Sequence, residues 1–238
     1  MRADGRQPEE LRPVTFHLHY IRHAEGSVLV EVGETRVLCT VSLEPSVPAW
    51  RRGSGRGWLT AEYALLPRST LVRSPRETSG LRGRTQEVRR FIGRSLRPAV
   101  DLAALGEQTL IVDCDVLQAD GGTRTAAVTG GYVALALALR RLERDGTLPS
   151  DLLRDPVAAV SVGLVDGIPM LDLCYEEDAR AEVDLNVAMD AAGRFVEVQG
   201  TAEGTPFSRA DLDRLLDLAQ GGIQRLIALQ RKVLAEDA

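Results

Sequence analysis

The chain has 238 residues, 44% of them hydrophobic, and a formal net charge of −5. That length allows one large domain or two small ones around a sizeable core, which excludes a peptide or a disordered tail. No apolar run approaches the ~20 residues that span a bilayer, and the opening MRADGRQPEELRP is charged from the start, unlike a secretory leader; the expected address is the cytoplasm, with no membrane partner.

Residues 14–50 read as a strand meander: VTFHLHY, GSVLVEVG and TRVLCTVSLE are alternating or apolar runs separated by Gly and charged turns. His17, His19 and His23 crowd into HLHYIRH and would share one strand face. With no acid or cysteine beside them, solvated edge histidines are preferred to a metal site. Cys39, Cys114 and Cys174 lie far apart in apolar runs and read as buried thiols rather than a disulfide or metal set.

Residues 51–80 are rich in Gly, Pro, Ser and Arg with little periodicity, and are expected to form a long exposed loop. Charge is concentrated here. From Arg51 to Arg97 there are twelve arginines against three acids (Glu62, Glu77, Glu87), a net +9 that leaves −14 for the rest of the chain. The planar fork of arginine suits phosphate, so this segment reads as the footprint of a polyanion in preference to a merely solvated face.

From Gly83 to Val100, the residues Val88, Phe91, Ile92, Ser95, Leu96 and Ala99 recur at helical spacing, with arginines opposite. QTLIVDCDVL follows as a buried strand. Then DCDVLQADGGTRTAAVTGG breaks at two glycines and sets Arg124 at the mouth of a helix predicted over Thr123–Arg144. A strand, a glycine turn and a helix start present free N–H groups and a positive dipole end to one point, which suits an anion. The helix is small and apolar nearly all round, so it should lie between layers, its glycines allowing close packing.

The second half begins near Pro156. VAAVSVGLVDGIPMLDL reads as two strands joined through Asp166-Gly167, and AEVDLNVAMDAAGRFVEVQGT as two more joined through DAAG. Ser208, with Asp211 three residues on, opens a last helix. The expected class is α/β, with mixed sheets and packed helices in a single domain over 1–238; a pseudo-duplication dividing near residue 150 is the open alternative.

In CYEEDARAEVDLNVAM, Val183, Leu185, Val187 and Met189 share one strand face, and Glu182, Asp184 and Asn186 the other. Asp178 precedes them in a turn, close enough to converge with Asp184 on one cation; a turn-capping role is the other reading of Asp178. Hard oxygen ligands beside a substrate phosphate select Mg²⁺ or Mn²⁺. An anion cradle, an arginine-rich groove and paired acids together suggest phosphoryl or nucleotidyl chemistry on a nucleic acid. The glycines of GSGRGW have the wrong spacing for a dinucleotide site, no GxxxxGK[ST] occurs, and no Ser/His or Cys/His constellation offers a protein nucleophile.

Five blocks, GWLTAEYALLPRST, GRTQEVRRFIGRSLR, DCDVLQADGGTRTA, LDLCYEEDARAEVDLNV and EVQGTAEGTPFSR, resemble in order and spacing the bacterial ribonuclease PH family of phosphate-dependent tRNA 3′-end nucleases, over about Asp4 to Leu234. The resemblance implies a ribosomal protein S5 domain 2-like fold, a homohexameric ring built as a trimer of dimers, and reversible 3′→5′ phosphorolysis of tRNA precursors that releases nucleoside diphosphates. It implies phosphate binding, with inorganic phosphate as co-substrate, by Arg84, Gly122, Thr123 and Arg124. It makes Asp178 and Asp184 a catalytic, metal-associated pair, and sets Arg68, Arg73 and Arg76 against the tRNA. Arg89 departs from the glutamine usual in the family, and would add charge near the groove. A non-catalytic RNA-binding ring subunit of the same fold is the alternative. Polynucleotide phosphorylase resembles two such cores with added RNA-binding modules, for which this chain is too short.

Overall fold

The first half folds into the expected meander and extends it. In the computed structural model, which describes residue 2 and residues 4–237, β1 (Val14–Leu18), β2 (Gly26–Val32) and β3 (Thr35–Glu44) pair antiparallel. β3 then pairs antiparallel with β5 (Thr109–Gln118), and β4 (Trp58–Leu65) lies parallel to β5 at the sheet edge. β4 corrects the expectation of an uninterrupted loop over 51–80. WLTAEYAL turns Leu59, Ala61 and Tyr63 inward, but its flanking glycines and arginines dilute the alternation. The three histidines do not share a strand face either, because β1 stops at Leu18 and His19 takes a positive φ of 53°. His17 instead lies 3.4 Å from Glu31, and His19 2.8 Å from Asp237.

α1 (Gly83–Leu96) buries Val88, Phe91, Ile92, Ser95 and Leu96. It ends one turn before the expected Val100, in a 3-10 turn over Arg97–Ala99, because Pro98 has no N–H to continue the ladder. α2 (Thr123–Arg144) has the predicted bounds.

The second sheet is antiparallel throughout, in the order β7-β6-β8-β9. β6 (Val157–Val165) and β7 (Ile168–Leu171) form a hairpin on Asp166-Gly167, both at positive φ (52° and 72°) as a tight two-residue turn requires. α3 (Tyr175–Asp178) leads to β8 (Val183–Asp190) and β9 (Phe195–Ala202). Asp178 is thus the last residue of a one-turn helix rather than part of a simple turn. α4 (Arg209–Glu236) is capped by Ser208, whose Oγ accepts the Asp211 N–H at 3.1 Å.

β6 shows how the layers stack. Val157 and Ala159 join the core around α2 and the first sheet, while Ala158, Val160, Val162 and Leu164 join the core under α4. A strand buried on both faces explains its unbroken apolar run. The layers are therefore first sheet, α2, second sheet and α4. Close packing of α2 depends on Gly130, where a Cβ would come 2.5 Å from Val30 and 3.1 Å from Cys39 Sγ. Cys39 and Cys114 face each other across β3 and β5, and all three cysteines are buried free thiols. Among the described residues, no helix is long and apolar enough to cross a membrane.

Candidate active site

α2 begins without a side-chain cap. Gly121 and Gly122 hold positive φ angles of 75° and 64°, carrying the chain from β5 into the helix along a path that L side chains rarely follow. A Cβ on Gly121 would also lie 2.6 Å from Leu173 O and 2.8 Å from Tyr175 N, so the turn packs against the chain entering α3. The first intrahelical bond runs from Ala126 N–H to Gly122 O, and the first turn contains no acid. The N–H groups ahead of it, and the positive end of the helix dipole, have no internal counter-charge. Beside them, Tyr63 OH lies 2.8 Å from Thr123 Oγ1.

Two buried arginines fix this turn relative to the second sheet. Arg12 donates to both oxygens of Asp172 at 3.0 and 2.7 Å, and to Asp120 O at 2.6 Å. Burial would raise the Asp172 pKa, but Arg12 holds it below its ordinary value. Arg2 donates to both oxygens of Glu177 at 2.8 and 2.7 Å, and Glu177 Oε2 accepts the Cys174 N–H at 3.0 Å. Together these bonds set α3, and Asp178 with it.

Asp184 lies on the face of β8 opposite Val183, Leu185, Val187 and Met189, which pack under α4. Its Oδ2 accepts from Asn186 Nδ2 at 3.3 Å, while Oδ1 is buried with no partner among the described residues. Burial, and then the Asp178 charge, push its pKa up to about 6 against the pull of Arg124 and Arg84. Burial raises the Asp178 pKa as well, and Arg84 and Arg124 offset part of that rise. These four side chains therefore act on one another at one place.

Arg124 Nη1 donates to Glu87 Oε1 and to Gln199 Oε1, both at 3.2 Å, so α1 and β9 hold it from two sides. Arg84 is exposed in the first turn of α1 and forms no ion pair among the described residues. Glu77 braces the chain before it, accepting from Thr85 Oγ1 at 2.8 Å and from Arg82 N–H at 3.1 Å. Among the described residues, no group of three His, Cys, Asp or Glu could hold a metal ion. The two aspartates, one with an unpartnered oxygen, fit Mg²⁺ or Mn²⁺ when substrate phosphate oxygens complete the shell, as those cations commonly require.

Residues 10–140 match domain 1 of the 3′ exoribonuclease family, and residues 155–222 match domain 2. The chain belongs to the 3′ exoribonuclease family. Solved structures agree on the fold. The rice (Oryza sativa) protein Rrp46 is similar with a TM-score of 0.79 at 20% identity, covering 98% of this chain and 100% of that one. A chain of the Archaeoglobus fulgidus exosome, solved with RNA bound to the active site, is 26% identical with a TM-score of 0.77, covering 100% of this chain and 92% of that one. A chain of an archaeal exosome core also gives 26% identity and 0.77, covering 97% and 91%.

In this 3′ exoribonuclease fold, of the residues expected at the phosphate and metal positions, Arg84, Arg124, Asp178 and Asp184 lie close enough for their charges to act on one another, and Gly122 and Thr123 directly precede Arg124 at the start of α2. Arg68, Arg73 and Arg76 do not join them; they are exposed on the loop after β4. The base of that loop is nonetheless tied beside the glycine turn, where Ala119 N–H donates to Ser69 O at 2.8 Å. Arg89 does not add free charge to the groove, because it pairs with Glu62 and donates to Ala61 O at 3.3 Å. Sequence reasoning missed Tyr63, Glu87 and Gln199, as well as the buried pairs of Arg2 and Arg12. Only Tyr63 carried a local signal, as an inward position on an alternating strand.

Proposed function

We propose that the chain is a phosphate-dependent 3′→5′ exoribonuclease of the ribonuclease PH type, acting on the 3′ ends of tRNA precursors. The observation that carries this reading is the meeting of two opposed charge sets: Arg84, Arg124 and the uncapped start of α2 against the acids Asp178, at the surface, and Asp184, half-buried. A hydrolase would need only the acids; the cationic half is a place for a second phosphate.

Arg84, Thr123, Arg124 and the N–H groups of the α2 start hold inorganic phosphate, with Tyr63 orienting the Thr123 hydroxyl. A phosphate oxygen attacks the last internucleotide phosphorus in line. The new P–O bond forms as the bond to the 3′-oxygen breaks; that oxygen takes a proton and stays on the shortened RNA, and the terminal nucleoside departs as its 5′-diphosphate. Asp178 and Asp184 would hold Mg²⁺ or Mn²⁺, which when bound offsets charge on the transferring group. Since a phosphodiester is exchanged for a phosphoanhydride, the reaction runs in both directions. The extended arginine-rich loop supports contacts to the tRNA body, and the exosome likenesses support assembly into a ring, here a homohexamer arranged as a trimer of dimers.

The test uses tRNA with extra 3′ nucleotides. Trimming should require phosphate, yield nucleoside diphosphates, and reverse in excess diphosphate. Release of monophosphates without phosphate would make the chain a hydrolase, and RNA binding with no release at all would make it a non-catalytic ring subunit.

A further inference from the structure

The arginine-rich segment holds a second feature, at the far end of β4 from the acids. Trp50 is 65% exposed, and its ring meets that of Trp58 edge-on with centroids 4.8 Å apart. The Arg97 guanidinium lies 3.9 Å from the Trp58 centroid and donates to Leu59 O at 3.0 Å. Arg51 reaches both rings, at 5.8 and 5.5 Å. Trp50 is therefore fixed from below while much of its ring faces solvent. Arg51 lies over the Trp50 ring and Arg97 over that of Trp58, Arg52 and Arg56 are exposed on the chain that follows, and none of the four forms an ion pair among the described residues. The nearest acid bonded to this loop is Glu107, which accepts the Gly55 N–H at 3.0 Å.

α1 connects this cluster to the active site. The helix runs antiparallel to β4: Arg84 acts on Tyr63 at one end, Arg89 reaches Ala61 O midway, and Arg97 just beyond its last turn reaches Leu59 O. Tyr63 lies five positions along the strand from Trp58, about 17 Å at ~3.3 Å per residue. Arg90, exposed and without an ion pair among the described residues, lies along the way.

We propose that Trp50, braced by Trp58 and flanked by Arg51 and Arg97, with Arg52 and Arg56 on the same exposed stretch, is a stacking platform for a base of single-stranded RNA whose 3′ end occupies the Arg84–Arg124–Asp184 site. A protein partner fits less well, because the cores of protein interfaces are depleted of charge, whereas an aromatic face among unpaired arginines is how single strands are held without regard to sequence. The proposal rests on the exoribonuclease reading above and deepens it by giving the strand behind the scissile end a place to lie.

Trp50 and Trp58 are the chain's two tryptophans, so intrinsic fluorescence reports this cluster alone. The probes are oligoadenylates of about 4 and about 16 nucleotides, spanning the usual range of single-strand site sizes, added without phosphate and with chelator so that nothing turns over. The longer oligomer should quench the fluorescence saturably, and the shorter should not at the same concentration. Trp50→Ala should lower the ratio of long to short affinity roughly tenfold, the cost of one lost base stack, and Trp50→Phe should restore it. Asp184→Asn should keep the ratio while losing diphosphate release, which separates failure of the platform from failure of the nuclease reading. An unchanged ratio in Trp50→Ala would overturn the proposal. Equal quenching by both oligomers, or an emission maximum that shifts with protein concentration in the absence of RNA, would also overturn it, the last by showing that a second copy covers the ring.

Discussion

The Asp184 side chain is half-buried, with one oxygen enclosed and unpartnered, and the fold bears a cost for keeping it ionised. Its pKa of about 6 lies above the ordinary 3.8, so between those values the unfolded chain releases a proton that the folded chain retains. The contribution of this carboxyl to stability is fully present below about pH 4 and is lost as pH rises through about 6. In metal-free protein at pH 8, Asp184→Asn should therefore raise unfolding stability by on the order of 2 kcal/mol, with the gain vanishing near pH 4. Urea unfolding at the two pH values checks this, and an equal effect at both would show that ionisation is not the cause. Mg²⁺ should stabilise the wild-type chain but not the variant, whose trimming activity should be nearly lost. Arg89 offers a contrasting case. Its charge is engaged by Glu62, so Arg89→Gln should leave the salt dependence of RNA binding unchanged; a log–log slope shallower by about one would place Arg89 on the RNA.

At the level of elements, the sequence patterns that succeeded were those that repeat locally. Apolar or alternating runs between turn residues located the strands of both hairpins, helical spacing located α1 and α4, a glycine turn before a small apolar run located α2, and a polar face on an otherwise buried strand located Asp184. What was missed has no local repeat. β4 is a single edge strand between breakers, α3 is one turn long, and the Arg12–Asp172 pair joins residues 160 positions apart, where no periodicity could connect them. That pair now anchors the glycine turn to the second sheet, and its loss should be felt in both stability and phosphate binding. Arg12→Met would leave Asp172 buried with only Arg6, 3.5 Å away, to oppose its charge, and should cost up to about 3–5 kcal/mol in denaturant unfolding. Adding Asp172→Asn to that variant should recover part of the loss. Additive costs from the two substitutions would mean that the residues act independently.

Across the whole molecule, the arginine-rich segment contributes only Arg84 to the candidate site, whose other members, Arg124, Asp178 and Asp184, stand on α2, α3 and β8. The loop carrying Arg68, Arg73 and Arg76 is tethered at Ser69 beside the glycine turn and otherwise exposed. Replacing all three arginines by Ala should weaken tRNA binding and flatten its salt dependence by roughly 0.7–0.9 log–log units per lost phosphate contact, with little change in unfolding stability. An unaltered slope would assign the loop to assembly instead. The sandwiching of α2 between two sheets has a temporal consequence. During synthesis, the first sheet, the arginine-rich segment and α2 leave the ribosome before β6 and β8 exist, so one side of α2 is still bare and neither Asp178 nor Asp184 has been made. On the proposed function, a nascent chain therefore carries the arginines that would hold RNA before it carries the acids that would cut it, and the order of translation acts as the safety catch.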